Sequence, residues 1–319
     1  MGKGWKHATI TLSVILALSV TVIIIMGVIF GEEMKVAGIV EGGFKGAVNN
    51  DAMCHDPGVH CTFVPDPSVT PPPIDNPGHK YSVDTAAFGA QLVATLEAAK
   101  NSNKAPLPLP NTMQLALLST NSDKNIAWVV QTTDLQQVWV VFRGTQTETE
   151  WKQDMDWKQA AWDDSGEALV HHGFLNIYHQ LKTPIRQAIV AAKITTGVLF
   201  ITGHSLGAAL SLLCAADTGT DMVVPDTRVY IFAPPRTGNK AFMKLVQASK
   251  LLELYCLGNH TDVVPMMPLA VTPNFTNYAD PWMYAQFPLM MFYANWGSIT
   301  YNHTMPCYIA HLNMVTLCL

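Results

Sequence analysis

Apolar residues along the chain gather into runs of two lengths, separated by polar punctuation. Short runs rich in β-branched and aromatic residues are "IAWVVQ" (126–131), "VWVVFRG" (138–144), "GVLFIT" (197–202), "RVYIFAPP" (228–235) and "LLELYCLGN" (251–259), and each predicts a strand. The first two are separated by "TTDLQQ", which predicts a turn between neighbouring strands. Longer stretches, "AAFGAQLVATLEAAK" (86–100), "IYHQLKTPIRQAIVAAK" (177–193) and "LGAALSLLCAA" (206–216), predict helices, the second in spite of Pro184. Strands alternating with helices predict an α/β domain with a largely parallel sheet covered by helices.

Two segments stand outside this alternation. Residues 8–30, "ATITLSVILALSVTVIIIMGVIF", carry no charge, follow two lysines, and have the length to cross a bilayer as one helix. No small-x-small cleavage site follows, so residues 1–30 read as a signal anchor or, alternatively, a cleaved signal peptide. Both readings send the chain into the secretory pathway, the first as a single-pass membrane protein with a luminal or extracellular catalytic domain, the second as a secreted protein. Residues 31–80 include "PDPSVTPPPIDNPG" and read as a Pro-rich stalk or wrapping segment, with the compact domain expected over 81–319.

Composition narrows the function classes modestly. In 319 residues, 19 basic groups stand against 24 acidic ones with no long basic block, which argues against nucleic acid as a partner. Six cysteines permit disulfides without establishing them; Cys54 and Cys61 flank "HDPGVH" and could close a small loop, and Cys214 within "SLLCAA" reads as a buried thiol. The Cys and His residues of that loop have no second paired cluster to support a metal site, and none is expected. Sequons stand at Asn259, Asn274 and Asn302, possible glycosylation sites if the domain is luminal.

The sharpest chemical signal is "GHSLG" (203–207), a Gly-x-Ser-x-Gly pattern between an expected strand and an expected helix. In that setting Ser205 is held on a sharp turn as a nucleophile, and the N–H of Leu206 faces the oxyanion of acyl transfer. A serine hydroxyl needs a base, and the base needs an orienting carboxylate; in a chain ordered this way both follow the serine, acid first. Asp262, just beyond the strand at 251–259, is the best acid, ahead of Asp217, Asp221, Asp226 and Asp280. His303 in "YNHTMPCYI" is the best base, ahead of His260, which is too close to Asp262, and His311, which lies in an apolar segment.

With these residues in view, the chain resembles the class 3 lipase family, which includes the fungal triacylglycerol lipases. The resemblance rests on "VVFRGT" (140–145), "HHGF" (171–174), "ITGHSLGAAL" (201–210), "FAPPRTGN" (232–239), "GNHTDVVPMMP" (258–268) and "NHTMPCYI" (302–309). It implies an α/β-hydrolase fold, the same Ser205–Asp262–His303 triad, and Thr145 as the second oxyanion donor beside Leu206, with Gly144 giving the loop room and Arg143 in a structural role. It also implies a lid over 146–162, "QTETEWKQDMDWKQAAW", carrying Trp151 to a membrane or lipid–water interface. The implied activity is hydrolysis of lipid acyl esters without a cofactor, on triacylglycerol or partial glycerides, with phospholipase or galactolipase activity as alternatives. A catalytically silent membrane-associated protein is the alternative from another class. The Met- and aromatic-rich stretch between Asp262 and His303 reads as an acyl groove, a membrane contact or core.

Overall fold

The computed structural model describes residues 66, 68–74, 81–145, 157–194, 197–221, 226–248, 252–274, 277, 279–295, 297 and 299–318. Contacts divide the chain into Met1–Asp56 and Pro57–Leu319, and every described residue belongs to the second unit. The apolar segment 8–30, the Cys54–Cys61 loop and Trp151 therefore lie outside the described residues. Among the described residues, no helix is long and apolar enough to cross a membrane.

A seven-stranded sheet forms the centre, built from β1 (Thr112–Leu118), β2 (Ala127–Thr132), β3 (Gln137–Phe142), β6 (Val198–His204), β7 (Thr227–Phe232), β8 (Leu252–Asn259) and β11 (Met290–Phe292), in that spatial order. The first three strands pair antiparallel, and from β3 to β11 every pairing is parallel. Two small antiparallel ribbons, β4 (Gln159–Ala161) with β5 (Leu169–His171) and β9 (Val271–Thr272) with β10 (Trp282–Met283), lie apart from it.

Alternation along the central strands divides the core between the two sheet faces. Val138, Val140, Phe142, Leu199 and Ile201 join one cluster with helices α2 (His172–Ala191), α3 (Leu206–Asp221) and α4 (Lys240–Gln247). Trp139, Val141, Val198, Phe200 and Tyr230 join the other with α1 (Val83–Asn101) and α6 (Met305–Cys318). Both faces are covered, which is why these strands read in sequence as unbroken apolar runs. The Trp139 and Phe200 rings stack at 4.2 Å between centroids, tying β3 to β6 beneath α1. Helix α2 continues past Pro184, as its periodicity predicts.

Where the Pro-rich segment is described, Val69 and Ile74 pack against the cluster under α1. Gln137 Nε2 donates to the Pro72 carbonyl at 2.6 Å. Cys214, Cys256 and Cys307 are buried free thiols, so no disulfide is formed by these three. Burial pushes the Cys214 thiol up to about 12, in keeping with an inert core residue.

Candidate active site

Strand β6 ends at His204, and α3 starts at Leu206, so Ser205 alone makes the turn. Its φ of 56° lies in the left-handed region that residues with a Cβ avoid. The Ser205 N–H donates to the Phe232 carbonyl at 3.0 Å, holding the strained residue against β7. The flanking glycines permit the sharp reversal through close approach: a Cβ on Gly203 would run into the carbonyl of Gly207, and one on Gly207 into the carbonyls of Phe142 and Arg143. The latter contact also brings the start of α3 against the 142–145 loop, setting the segment of Thr145 beside that of Leu206. Leu206 is the first residue of α3, where backbone N–H groups have no preceding helical carbonyl to bond.

Asp262 follows β8 by three residues, its N–H donating to the Asn259 carbonyl at 3.0 Å. His303 occupies the break between the one-turn helix α5 (Ile299–Asn302) and α6. His303 Nδ1 lies 2.8 Å from Asp262 Oδ2, and its Nε2 lies 2.8 Å from Ser205 Oγ. A carboxylate only accepts, so Nδ1 carries the proton and Nε2 accepts from the serine hydroxyl. Ser205 and Asp262 are only 4% and 2% exposed.

Burial acts first on Asp262, raising its pKa, yet the net displacement is downward. The charge and hydrogen bond of His303, the Val264 N–H and the Tyr308 hydroxyl together outweigh desolvation. Val264 N–H reaches Oδ1 at 2.9 Å, and Tyr308 Oη reaches Oδ2 at 2.8 Å. Tyr308 also accepts from the Asn259 N–H at 3.2 Å, so one phenol braces both the acid and the strand end before it. Arg236 steadies the far side of the acid loop by donating to the Met266 carbonyl and, at 2.7 Å, to that of Pro268.

The structure thus brings together Ser205, Asp262 and His303, with Leu206 adjoining the serine and Thr145 at the loop beside it. Three of the rival groups have other partners. Asp217 pairs with Lys182 and Arg186, Asp226 with Arg228, and His311 stacks on Phe292 at 3.9 Å. Arg143 is fully buried, with Nε donating to the Asn125 carbonyl and Nη1 to that of Gly144.

The three sequons need correction as glycosylation sites of the folded domain. Asn259, Asn274 and Asn302 are 0%, 6% and 4% exposed. Each amide nitrogen donates inside the fold: Asn259 to the Ala294 carbonyl at 2.9 Å, Asn274 to that of Asp280 at 3.1 Å, and Asn302 to Asn295 Oδ1 at 3.5 Å. A sequon pattern does not encode burial, so sequence alone could not expose this. Sequence reading also passed over Tyr308, Glu97 and His204. The last two form a hydrogen-bonded pair beneath the site. Their signals were faint: a single glutamate late in an apolar helix, and the variable position of the serine motif.

Comparison with known proteins agrees with this architecture. The family model "Lipase (class 3)" matches residues 139–272, a span that includes Ser205 and Asp262 and stops short of His303. A chloroplastic phospholipase A(1) of Arabidopsis thaliana is 32% identical over 161 residues, covering 44% of this chain and 35% of the relative. A secreted mono- and diacylglycerol lipase of Malassezia globosa is 31% identical over 140 residues, covering 42% of this chain and 44% of the relative. The chain therefore spans less than half the length of these two relatives. Among solved structures, lipase II from Rhizopus niveus superposes with a TM-score of 0.52 at 20% identity, covering 59% of this chain and 75% of that one, a likeness of fold. The resemblance to the class 3 lipase family is thereby shown over residues 139–272, on an α/β-hydrolase fold.

Proposed function

We propose that this chain is a serine hydrolase that cleaves the acyl esters of lipids. The observation that carries the reading is the continuous hydrogen-bonded sequence from Ser205 Oγ through His303 to the ionised, triply bonded Asp262. Ser205 Oγ attacks the ester carbonyl while its proton passes to His303 Nε2, and Asp262 balances the imidazolium so formed. The N–H groups of Thr145 and Leu206 stabilise the oxyanion. Collapse of the tetrahedral intermediate breaks the bond to the alcohol, which leaves with the proton from Nε2. A water molecule then gives its proton to Nε2, attacks the acyl-serine, and releases the fatty acid with regeneration of the serine.

Triacylglycerol or partial glycerides are the first substrate class, on the strength of the fungal relatives. The plant relative favours a second reading, phospholipase A1 action on the same chemistry. Under either reading the catalytic domain spans 81–319, and Trp151 belongs to a lid that meets the lipid–water interface. Passage through the secretory pathway, as an anchored or a secreted protein, fits the apolar leader and the secreted relative.

The deciding experiment incubates the purified protein with triacylglycerol, monoacylglycerol, phosphatidylcholine and galactolipid, with Ser205→Ala as control. Fatty acid release from at least one lipid, abolished in the variant while its unfolding midpoint is retained, is the expected result. Undiminished release by Ser205→Ala would reject the mechanism.

A further inference from the structure

Beneath the nucleophile turn lies a second imidazole–carboxylate pair that takes no part in the proton transfers of the proposed reaction. His204 precedes the serine and is nearly fully buried. Its ring sits 4.7 Å from that of His303 and 6.0 Å from that of Tyr308, centroid to centroid. His204 Nε2 lies 2.7 Å from the main-chain carbonyl of His303, and Nδ1 lies 3.1 Å from Glu97 Oε1. That same Glu97 oxygen accepts the Gly144 N–H at 3.2 Å. Glu97 belongs to α1, upstream of the segment matched by the family model.

We infer that Glu97 and His204 are positioning residues for the proposed reaction, locking the peptide of the general base His303 to the nucleophile turn and to the loop that leads into Thr145. The inference rests on the ester hydrolase reading for its kinetic consequence, but not for its geometry.

The protonation follows from the acceptors. A carbonyl oxygen cannot donate, so His204 Nε2 carries a proton. On the other edge of the ring, Nδ1 meets a carboxyl group, and a bond there requires a proton on one of the two. Without that proton, one N–H would have to serve two acceptors, and either the His303 carbonyl or Glu97 would be released.

The His303 carbonyl is where such a donor is needed. The residue sits in the two-residue break between α5 and α6, and at the start of α6 the Cys307 N–H donates to the Thr304 carbonyl rather than to that of His303. Peptide rotation at His303 would swing Nε2 away from Ser205, and a displacement near 1 Å at a reacting centre is enough to cost about 100-fold in rate. His204 restrains that rotation, and Glu97 fixes the orientation and proton of His204 while bonding the 142–145 loop. Three chain segments that meet the reacting ester are thus held by one carboxylate.

The test exploits the two edges of the ring. In His204→Gln the side-chain amide reaches the Nε2 position and can still donate to His303. In His204→Asn it reaches only as far as Nδ1, keeping the contact with Glu97 and losing the one with His303. With p-nitrophenyl butyrate as substrate, His204→Asn is expected to lower kcat by about 10- to 100-fold with KM within about twofold of the parent, and His204→Gln to recover most of that loss. Equal losses in the two variants, or a loss confined to KM, would overturn the assignment.

A measurement on the unmodified full chain stands beside it. Its ¹⁵N-histidine NMR spectrum should show His204 Nε2 protonated and hydrogen-bonded; an unprotonated Nε2 overturns the inference even if His204→Asn does not fold. Ser205→Ala separates the two ideas. Persistent turnover in that variant sinks the hydrolase mechanism, whereas the His204 resonance reports the lock independently of turnover.

Discussion

At the scale of single residues, the decisive quantity is how firmly the Asp262 carboxylate is kept ionised while buried. Three donors accomplish this, and Tyr308 is the one sequence reading did not single out. Serine, acid and base were legible because a local motif and a fixed chain order point to them. Tyr308 was not, because its reach to Asp262 depends on the angle at which α6 leaves His303. Replacing Tyr308 with phenylalanine deletes a hydrogen bond to a charged group, a loss of about 1.5–3 kcal/mol in unfolding free energy at neutral pH. The sign of the pH effect follows from linkage. With its native pKa lowered, Asp262 contributes stability above its unfolded value of about 3.9, and that contribution is lost as pH falls through the native pKa. Tyr308→Phe raises the native pKa, so the contribution is smaller and is fully lost at a higher pH. Acid unfolding of the variant is therefore expected at higher pH than in the parent, and coincident acid transitions would show that the phenol does not stabilise the carboxylate.

At the scale of elements, the nucleophile turn depends on two backbones passing closer than any side chain allows. Gly207→Ala would press a methyl into the carbonyls of Phe142, at the end of β3, and of Arg143 just after it, which cannot rotate aside as a flexible side chain would. We expect a loss of about 3 kcal/mol or more in denaturant unfolding. A loss under about 1 kcal/mol would mean that the start of α3 can shift at little cost. The strands on either side of this turn were legible because burial on both faces leaves few polar positions within them. Other elements escaped for identifiable reasons. β1 is covered only in part, with Met113 and Gln114 exposed, so "TMQLALL" shows neither a long apolar run nor strict alternation. α4 is only eight residues long, and α6, whose buried side chains include Met305, Cys307, Tyr308, Ile309 and Leu312, has an apolar sequence that blurs its helical period. The Met-rich stretch before His303 resolves into short pieces, β9, β10 and β11, with Phe287 and Phe292 buried and Met283, Met290 and Met291 exposed.

At the scale of the whole molecule, residues far apart in sequence complete one site: α1 supplies Glu97, the centre of the sheet supplies Ser205, and the C-terminal helices supply His303 and Tyr308. The α/β class and its parallel sheet were legible from the alternation of runs, whereas the joining of α1 to the catalytic end required three-dimensional proximity that no local pattern encodes. The buried sequon asparagines connect this assembly to the history of the chain. Asn259 ties the end of β8 to the Ala294 and Asn302 carbonyls, and so to the helix that leads into His303. Peptide mapping of active protein from a secreting host should find Asn259, Asn274 and Asn302 unmodified; a sugar at Asn259 in fully active molecules would contradict the packing described. In a secreting host, oligosaccharide transfer and closure of the C-terminal region would compete for the same amide nitrogens. A molecule decorated before closure would carry its serine on a finished turn yet be unable to seat its base, so early glycosylation would divert nascent chains into an inert pool.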